Sequence, residues 1–573
     1  MVYLRLHQSF HARLTVLVLF FLVVLAAILG RVFSLAIVEH RTYVLAAERQ
    51  HQFSEILPSH RGTIYGQDRS GALVPLALQK SFFTLVAVPK DVADPGLAAK
   101  VLAELLPVPE AELLAKLSKR DDPYEILARK LDDATTEKIR ALHLEGITLG
   151  EETRRVYPQG TLASSLLGFV SYASGEERGE YGIEKQYETH LKGERGFFAG
   201  ERDAAGFWVA IGKRILDPPE NGDSVVLTID PNIQFRAEDV LERLIERWGA
   251  ESGSALVVEP ATGRIRAFAS RPTFNPNEYS KVKDYSRFRA PLVDAQFELG
   301  SAFKPITMAG GLNEGVVTAS TTYQDPGTIA FRGFTISNFD GRSHGVQTMT
   351  QVLEKSLNTG AVFVSQRLGQ ERFLEYLKRF GFGAPTGVDL PGEISGDISN
   401  LASGRDVDYA TASFGQGIAI TPLQLAQALG AIANRGTLMQ PSVVEKIIDD
   451  SGNEEVSKPV AIGQVIRPET AETLTKMLVS VVRNGFDRGG VKGYFVAGKT
   501  GTAQIPRQDG RGYSDEFIHT IVGYAPAFNP KFLILLQLNK PTGNRFAANT
   551  LSPAFRELTE FLLNYYEIPP DER

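Results

Sequence analysis

Three short patterns in this sequence combine residue types that could move a proton and form an ester. Ser301-Ala302-Phe303-Lys304 sets a hydroxyl and an amine three residues apart. On a helix, positions i and i+3 share a face, so Lys304 can reach the Ser301 hydroxyl. Serine is a weak nucleophile until a neighbouring base takes its proton. Lysine can act as that base only where burial or a second cation keeps it neutral. Ser356-Leu357-Asn358 adds a second hydroxyl, suited to relaying a proton, and a carboxamide, suited to holding a substrate amide. Lys499-Thr500-Gly501-Thr502 follows the apolar run YFVA and Gly498, and joins a cation to two hydroxyls that suit a carboxylate. Each pattern alone has an ordinary reading: a surface pair, a cap or turn, and a strand edge guarded by lysine.

The elements that must position these groups can be read from period and turn chemistry. Ser224–Ile229 (SVVLTI) reads as a strand, and Asn232–Arg247 as a helix with Ile233, Ala237, Leu241, Leu244 and Ile245 on one face. Ser254–Ser270 reads as a hairpin turning at Pro260-Ala261-Thr262-Gly263, and Thr520–Phe528 with Lys531–Leu538 as a second. Helical runs lie between, among them PLQLAQALGAIANRG, with Gly436 as its C-cap. Strands at both ends with helices between predict an α+β domain, an antiparallel sheet covered by helices, over residues 224–566. The Ser-x-x-Lys pattern is then expected on a helix, the second at a turn and the third on a strand.

The turn-rich DPPENGD, Asp217–Asp223, marks a boundary before that domain. Residues 39–216 mix a strand-like run, Phe82–Val88, with the amphipathic stretch Gly96–Leu117. Pro107 and Pro109 break that stretch into at least two helices. This zone has no catalytic pattern and reads as a mixed α/β spacer. Before it, Leu14–Val38 is an apolar run whose one charge is Arg31, long enough for a membrane span. Arg5 and Arg13 precede it, so residues 1–13 are expected in the cytoplasm, with everything after the single-pass anchor exported. Arg31 is expected to snorkel outward or to pair with a partner helix. The C-terminal PPDER is expected to fray.

Composition narrows the choices. With 573 residues, more than one domain is expected. A net charge of −6 without a basic patch leaves no case for nucleic acid. There are no cysteines, which removes disulfides, thiolate metal sites and cysteine nucleophiles. No cofactor or metal is expected.

The three patterns, in this order within one domain, match the motif set of penicillin-binding proteins and class A β-lactamases. The sequence resembles the class B, monofunctional penicillin-binding proteins, and is most similar to the FtsI division type. The likeness extends to Arg61-Gly62-Thr63-Ile64, Arg155-Val156-Tyr157-Pro158, Gly182-Ile183-Glu184-Lys185, Phe414-Gly415-Gln416-Gly417, Thr421-Pro422-Leu423-Gln424 and a helix start at Pro553-Ala554-Phe555. It departs from the family at Leu299, where proline is usual, in the segment after Arg61-Gly62, and at Leu357 within the second motif.

The resemblance implies a peptidoglycan D,D-transpeptidase acting in septal synthesis, with residues 39–216 as its pedestal. Ser301 would attack the D-Ala-D-Ala carbonyl of a donor stem peptide, with Lys304 as base and Ser356 and Lys499 as proton shuttle. Backbone N–H groups of Ser301 and Thr502 would form the oxyanion hole. Asn358 would hold the donor amide, and Thr500, Gly501 and Thr502 would bind beside it, the threonines taking the terminal carboxylate. The implied partners are an integral-membrane glycan polymerase of the FtsW/RodA type, met through the anchor near Ala26, Ala27 and Gly30, and other division proteins. An elongation-type transpeptidase, a D,D-carboxypeptidase, and a non-catalytic β-lactam sensor or scaffold share the motifs.

Overall fold

The computed structural model describes residues 2–39, 52–173, 176–201, 215–331, 333–507 and 512–572; residues 40–51 and 202–214 of the expected spacer lie outside them. The N-terminal apolar run is helical: α1 (Val2–Phe33) continues as a π-helical stretch to Val38. Leu14–Val38 is long and apolar enough to cross a membrane. At 1.5 Å per residue it spans about 37 Å, against the ~30 Å of a hydrocarbon core. Arg31 is paired within the chain, 3.3 Å from the Glu39 carboxylate, which also accepts the Ser34 hydroxyl at 2.8 Å.

Two compact units divide the chain. One holds α1 and a three-stranded antiparallel sheet of Gln52–Leu57, Gly196–Glu201 and Ile215–Asp217. The other joins Arg61–Lys192 to Gly222–Arg573 and contains every residue singled out for chemistry.

Within the second unit, β1 (Ile64–Gln67), β2 (Leu73–Ala87), β3 (Glu125–Leu131) and β4 (Ile147–Val156) form a sheet in which β2 is the hub, antiparallel to the other three. The two expected helices are Pro95–Ala103 and Glu110–Leu117, broken where the prolines fall. Strand β5 (Ser224–Leu227) pairs parallel with β1 and antiparallel with Val444–Ile448, which ties the spacer to the chemistry-bearing part through backbone hydrogen bonds.

A buried charge cluster reinforces that tie. Glu184, fully buried, accepts Arg61 Nε at 2.8 Å, Arg155 Nε at 2.7 Å and the Tyr157 hydroxyl at 3.1 Å. Burial pushes its carboxyl up, but the two guanidinium charges outweigh this and hold it below the usual range. The remaining reach of Arg61 goes to Glu188, at 2.6 Å, and that of Arg155 to the Gly62 carbonyl, at 2.6 Å. Three separate stretches of the sequence thus meet at one carboxylate.

The helix expected at 232–247 is α2 (Pro231–Trp248). Asp230 caps it by accepting the Asn232 and Ile233 N–H groups, and Gly249 closes it at φ +53°. Strands β6 (Ser252–Val258) and β7 (Ile265–Arg271) form the first hairpin. Helices α3 (Lys304–Asn313), α4 (Asn358–Leu368), α5 (Pro422–Ala433) and α6 (Pro468–Gly485) follow. Strands β8 (Ala497–Pro506), β9 (Tyr513–Ala525) and β10 (Phe532–Asn539) then precede α7 (Ala547–Tyr565). The five strands make one antiparallel sheet in the order β7-β6-β10-β9-β8. In β9 the residues from Ile518 to Ala525 are all buried, because helices cover both faces. Helices α2 and α7 pack on β6, β7 and β9, while α5 and α6 pack on β6, β8, β9 and β10. Every residue of α5 is buried.

Three expectations need correction. Gly436 is not the C-cap of α5: Asn434 is, and Gly436 lies beyond it, returning its N–H to the Ala431 carbonyl at 2.7 Å. Pro553 does not start the last helix but lies inside α7. That helix begins at Ala547, whose N–H is taken by the Thr502 hydroxyl at 3.0 Å, so the proline costs one internal hydrogen bond on an exposed face. The tail does not fray through Glu572: the Asp571 carboxylate accepts the Phe495 N–H at 2.8 Å, and the Glu572 N–H reaches the Gly493 carbonyl at 3.0 Å.

Candidate active site

Ser301 sits in a 3-10 turn, Gly300–Phe303, that runs directly into α3 at Lys304. In such a turn residues i and i+3 are nearly eclipsed, so serine and lysine point to one side. Pro305 suits the first helical turn because no N–H is needed there. Glycines let the neighbours close in. A Cβ on Gly501 would stand 2.3 Å from the Leu299 carbonyl oxygen, and one on Gly415 would stand 2.3 Å from that of Gly300. Strand β8 and the Phe414–Gly417 loop therefore both press on the serine turn, and the Gly300 N–H donates to Gly415 O at 3.1 Å.

The two lysines converge on one hydroxyl. Lys304 Nζ donates to the Ser356 carbonyl at 2.5 Å, to Asn358 Oδ1 at 2.8 Å and to Ser356 Oγ at 3.3 Å. Lys499 Nζ donates to the same Ser356 Oγ at 3.1 Å and to the Thr500 carbonyl at 3.0 Å. Ser356 reaches this position with φ +53°, in the left-handed region, just before Asn358 starts α4. The backbone there is held against its own preference, a form of strain found at functional sites.

Both lysines are 1 % exposed, and no carboxylate among the described residues pairs with either. Burial, and then the charge of Lys499, holds Lys304 well below its ordinary range. Burial alone brings Lys499 down to about 7. Two ammonium ions sharing one hydroxyl in a dry site repel each other, so near neutral pH the site can offer a neutral amine. The Ser301 hydroxyl has no hydrogen-bond partner among the described residues, which leaves it free for an incoming carbonyl.

The predicted residues therefore come together. Ser301, Ser356, Asn358, Lys499, Thr500 and Thr502 line one cleft of about 740 Å³. Lys304 lies beneath it and Gly501 between the two threonines. Sequence reasoning missed the groups that hold these in place. Buried Asp325 accepts Thr359 Oγ1 at 2.6 Å, the His344 N–H at 2.8 Å and Asn338 Nδ2 at 2.9 Å, fixing the loop that borders Asn358. Its carboxyl is pushed up by burial but brought lower overall by these donors, Thr359 first. Asn358 Nδ2 in turn donates to Ser337 O at 2.8 Å. Glu298, ahead of the serine turn, accepts the Gly417 N–H at 3.0 Å and the Tyr513 hydroxyl at 2.9 Å. Only the proximity of Glu298 to Ser301 in sequence could have signalled it.

A buried lysine with a lowered pKa three residues from a serine, with a second hydroxyl bridging to another amine, defines serine acyl transfer assisted by lysine rather than histidine. Comparison with known proteins agrees. The penicillin binding protein transpeptidase domain family matches residues 253–560, and the penicillin-binding protein dimerisation domain family matches residues 56–227. Stage V sporulation protein D of Bacillus subtilis is 34% identical over 493 residues, covering 85% of this chain and 75% of that protein. Peptidoglycan D,D-transpeptidase FtsI of Escherichia coli is 31% identical over 567 residues, covering 96% and 91%. A crystal structure of a peptidoglycan synthetase from Bifidobacterium adolescentis superposes with a TM-score of 0.71 at 27% identity, covering 91% of this chain and 98% of that one. The chain belongs to the class B penicillin-binding proteins.

Proposed function

We propose that this peptidoglycan D,D-transpeptidase works through an acyl-enzyme on Ser301. The observation that carries the assignment is the Ser356 hydroxyl held between the buried amines of Lys304 and Lys499, beside the serine turn. Neutral Lys304 takes the Ser301 proton as Oγ attacks the penultimate D-alanine carbonyl of a donor stem. Ser356 and Lys499 pass a proton to the leaving D-alanine amine. The oxyanion meets the backbone N–H groups of Ser301 and Thr502, donors typically worth ~3–4 kcal/mol each. Asn358 orients the donor amide, Thr500 and Thr502 take the terminal carboxylate, and Gly501 lets strand and turn approach. An amine of a second stem then displaces Ser301 and completes the cross-link. The same cleft accepts β-lactams as covalent acylating agents.

In this reading residues 1–13 are a cytoplasmic tail and 14–38 the anchor. Residues 39–216 form the pedestal and 224–566 the catalytic domain outside the membrane. Septal synthesis is the process it serves, as the likeness to FtsI supports, with a glycan polymerase of the FtsW/RodA type and other division proteins as partners. The test supplies a stem pentapeptide donor and an amine acceptor to the full chain. Cross-linked dimer with release of D-alanine, lost in Ser301→Ala, is expected. Hydrolysis to tetrapeptide regardless of acceptor would make it a carboxypeptidase, and turnover by Ser301→Ala would remove the nucleophile.

A further inference from the structure

Two cations that line the cleft, Lys355 and Arg545, have no role in the steps above. Arg545 lines it, exposed, with its guanidinium 5.4 Å from the centre of the Phe517 ring. Among the described residues no carboxylate lies within ion-pair distance of it. Among the described residues the one carboxylate lining the cleft, Glu354, is occupied at a different place, accepting the Ser480 hydroxyl at 2.5 Å and Asn484 Nδ2 at 2.9 Å.

The position of Arg545 is built rather than incidental. Its carbonyl accepts His519 Nε2 at 3.0 Å, and His519 Nδ1 lies 2.8 Å from the Thr550 hydroxyl in α7. A carbonyl can only accept, so Nε2 carries the proton and Nδ1 takes that of Thr550. His519 is completely buried, and burial lowers its pKa to about 4, so this arrangement persists at neutral pH. His519 faces Thr502 across the β8–β9 pairing, and Phe517 faces Gln504. Residues i and i+2 of a strand share a face and stand about 6.7 Å apart. The half-buried face that lines the cleft therefore runs Thr500, Thr502, Gln504, with the Phe517–Arg545 stack beside its far end.

Strand β8 is the edge of its sheet, so a donor peptide can lie alongside it as an added strand. With the terminal carboxylate at Thr500 and Thr502 and the reacting carbonyl at Ser301, the preceding residues run towards Gln504. The third residue of the stem then comes level with Arg545. We infer that Arg545, braced on Phe517, is a carboxylate subsite for the side chain of the donor's third residue, so that the enzyme selects stems carrying a side-chain carboxylate there, of the diaminopimelyl kind, over lysyl or amidated ones. This rests on the proposed orientation of the donor in the Ser301 site.

Two donor pentapeptides that differ only in a carboxylate or carboxamide at the end of the third side chain test it on the full chain, read as kcat/KM for D-alanine release. The wild type is expected to favour the carboxylate by about fivefold or more, as for a partly screened charge-assisted pair. Arg545→Met should bring the ratio near one, and Arg545→Lys should keep part of it. An equal rate for both donors in the wild type, or an unaltered ratio in Arg545→Met, would overturn the inference. An equal loss on both donors would also overturn it, because it would assign Arg545 to the terminal carboxylate they share. Mapping the benzylpenicillin adduct of the same samples keeps the two claims apart. An adduct away from Ser301 defeats the proposed mechanism, whereas an adduct on Ser301 with no change in ratio defeats only the subsite.

Discussion

Replacing Lys499 by methionine should stabilise the protein at neutral pH while removing its activity, and should destabilise it in alkali. Unfolded lysine titrates near 10.5, whereas burial brings Lys499 to about 7. Between those values the unfolded chain binds the extra proton, so stability rises with pH across that window. Below about pH 7 both states are charged and the full cost applies, ~5 kcal/mol at 1.36 kcal/mol per unit. Methionine keeps the apolar stem but gives up two hydrogen bonds, to Ser356 Oγ and Thr500 O, a loss of ~2 kcal/mol. The net gain is about 3 kcal/mol at pH 6–7, crosses zero near pH 9, and becomes a loss of about 2 kcal/mol above pH 10.5. Urea unfolding of both proteins in detergent at pH 6.5, 8, 9 and 10.5, followed by tryptophan fluorescence, measures it. A variant less stable at pH 6.5, or a difference that does not change with pH, would refute the reasoning that burial depresses the Lys499 pKa.

Acylation by benzylpenicillin needs neutral Lys304, so its rate constant should rise with pH and level off well below 10.5, since burial and Lys499 depress that amine; a rate that still climbs steeply at pH 10.5 in stopped-flow measurements would contradict this. Gly501→Ala drives a Cβ to 2.3 Å from the Leu299 carbonyl oxygen and should slow acylation at least tenfold, with a stability loss of about 1–3 kcal/mol. Glu184→Gln leaves two buried guanidinium groups short of a partner and should cost about 3–5 kcal/mol at neutral pH, read from the urea midpoint. Because the folded pKa of Glu184 is depressed, its contribution is present above the unfolded carboxylate pKa and is lost as pH falls through the folded one. No neighbouring atom lies within 4 Å of a Cβ added at Gly30, so Gly30→Leu should leave this chain folded but reduce co-purification of the proposed polymerase partner.

Much of the site was legible because its chemistry is local in sequence. Ser301 with Lys304 sits at a helical spacing, and Thr500 with Thr502 at a strand spacing, that puts each pair on one face whatever the surroundings. Helix α2 and both hairpins were legible for the same reason, since apolar period and turn residues mark them within one window. The supports were not. Glu184 meets Arg61 across 123 positions, and Glu298 meets Gly417 and Tyr513 across 119 and 215, distances over which no periodicity carries information. Arg545 gave no signal because its meaning comes from β9 lying beside β8, a product of the sheet order. Pro553 and the tail misled because local propensity was overridden: a hydroxyl on β8 starts α7 early, and two acidic side-chain and backbone contacts hold residues that composition marks as loose.

The central claim is that Ser301 forms the acyl-enzyme. Peptide-mapping mass spectrometry of the full chain after benzylpenicillin treatment tests it most directly. The account predicts one intact-drug mass addition on the peptide containing Ser301, absent in Ser301→Ala. An adduct on Ser356 or any other residue, or equal labelling of Ser301→Ala, would contradict it.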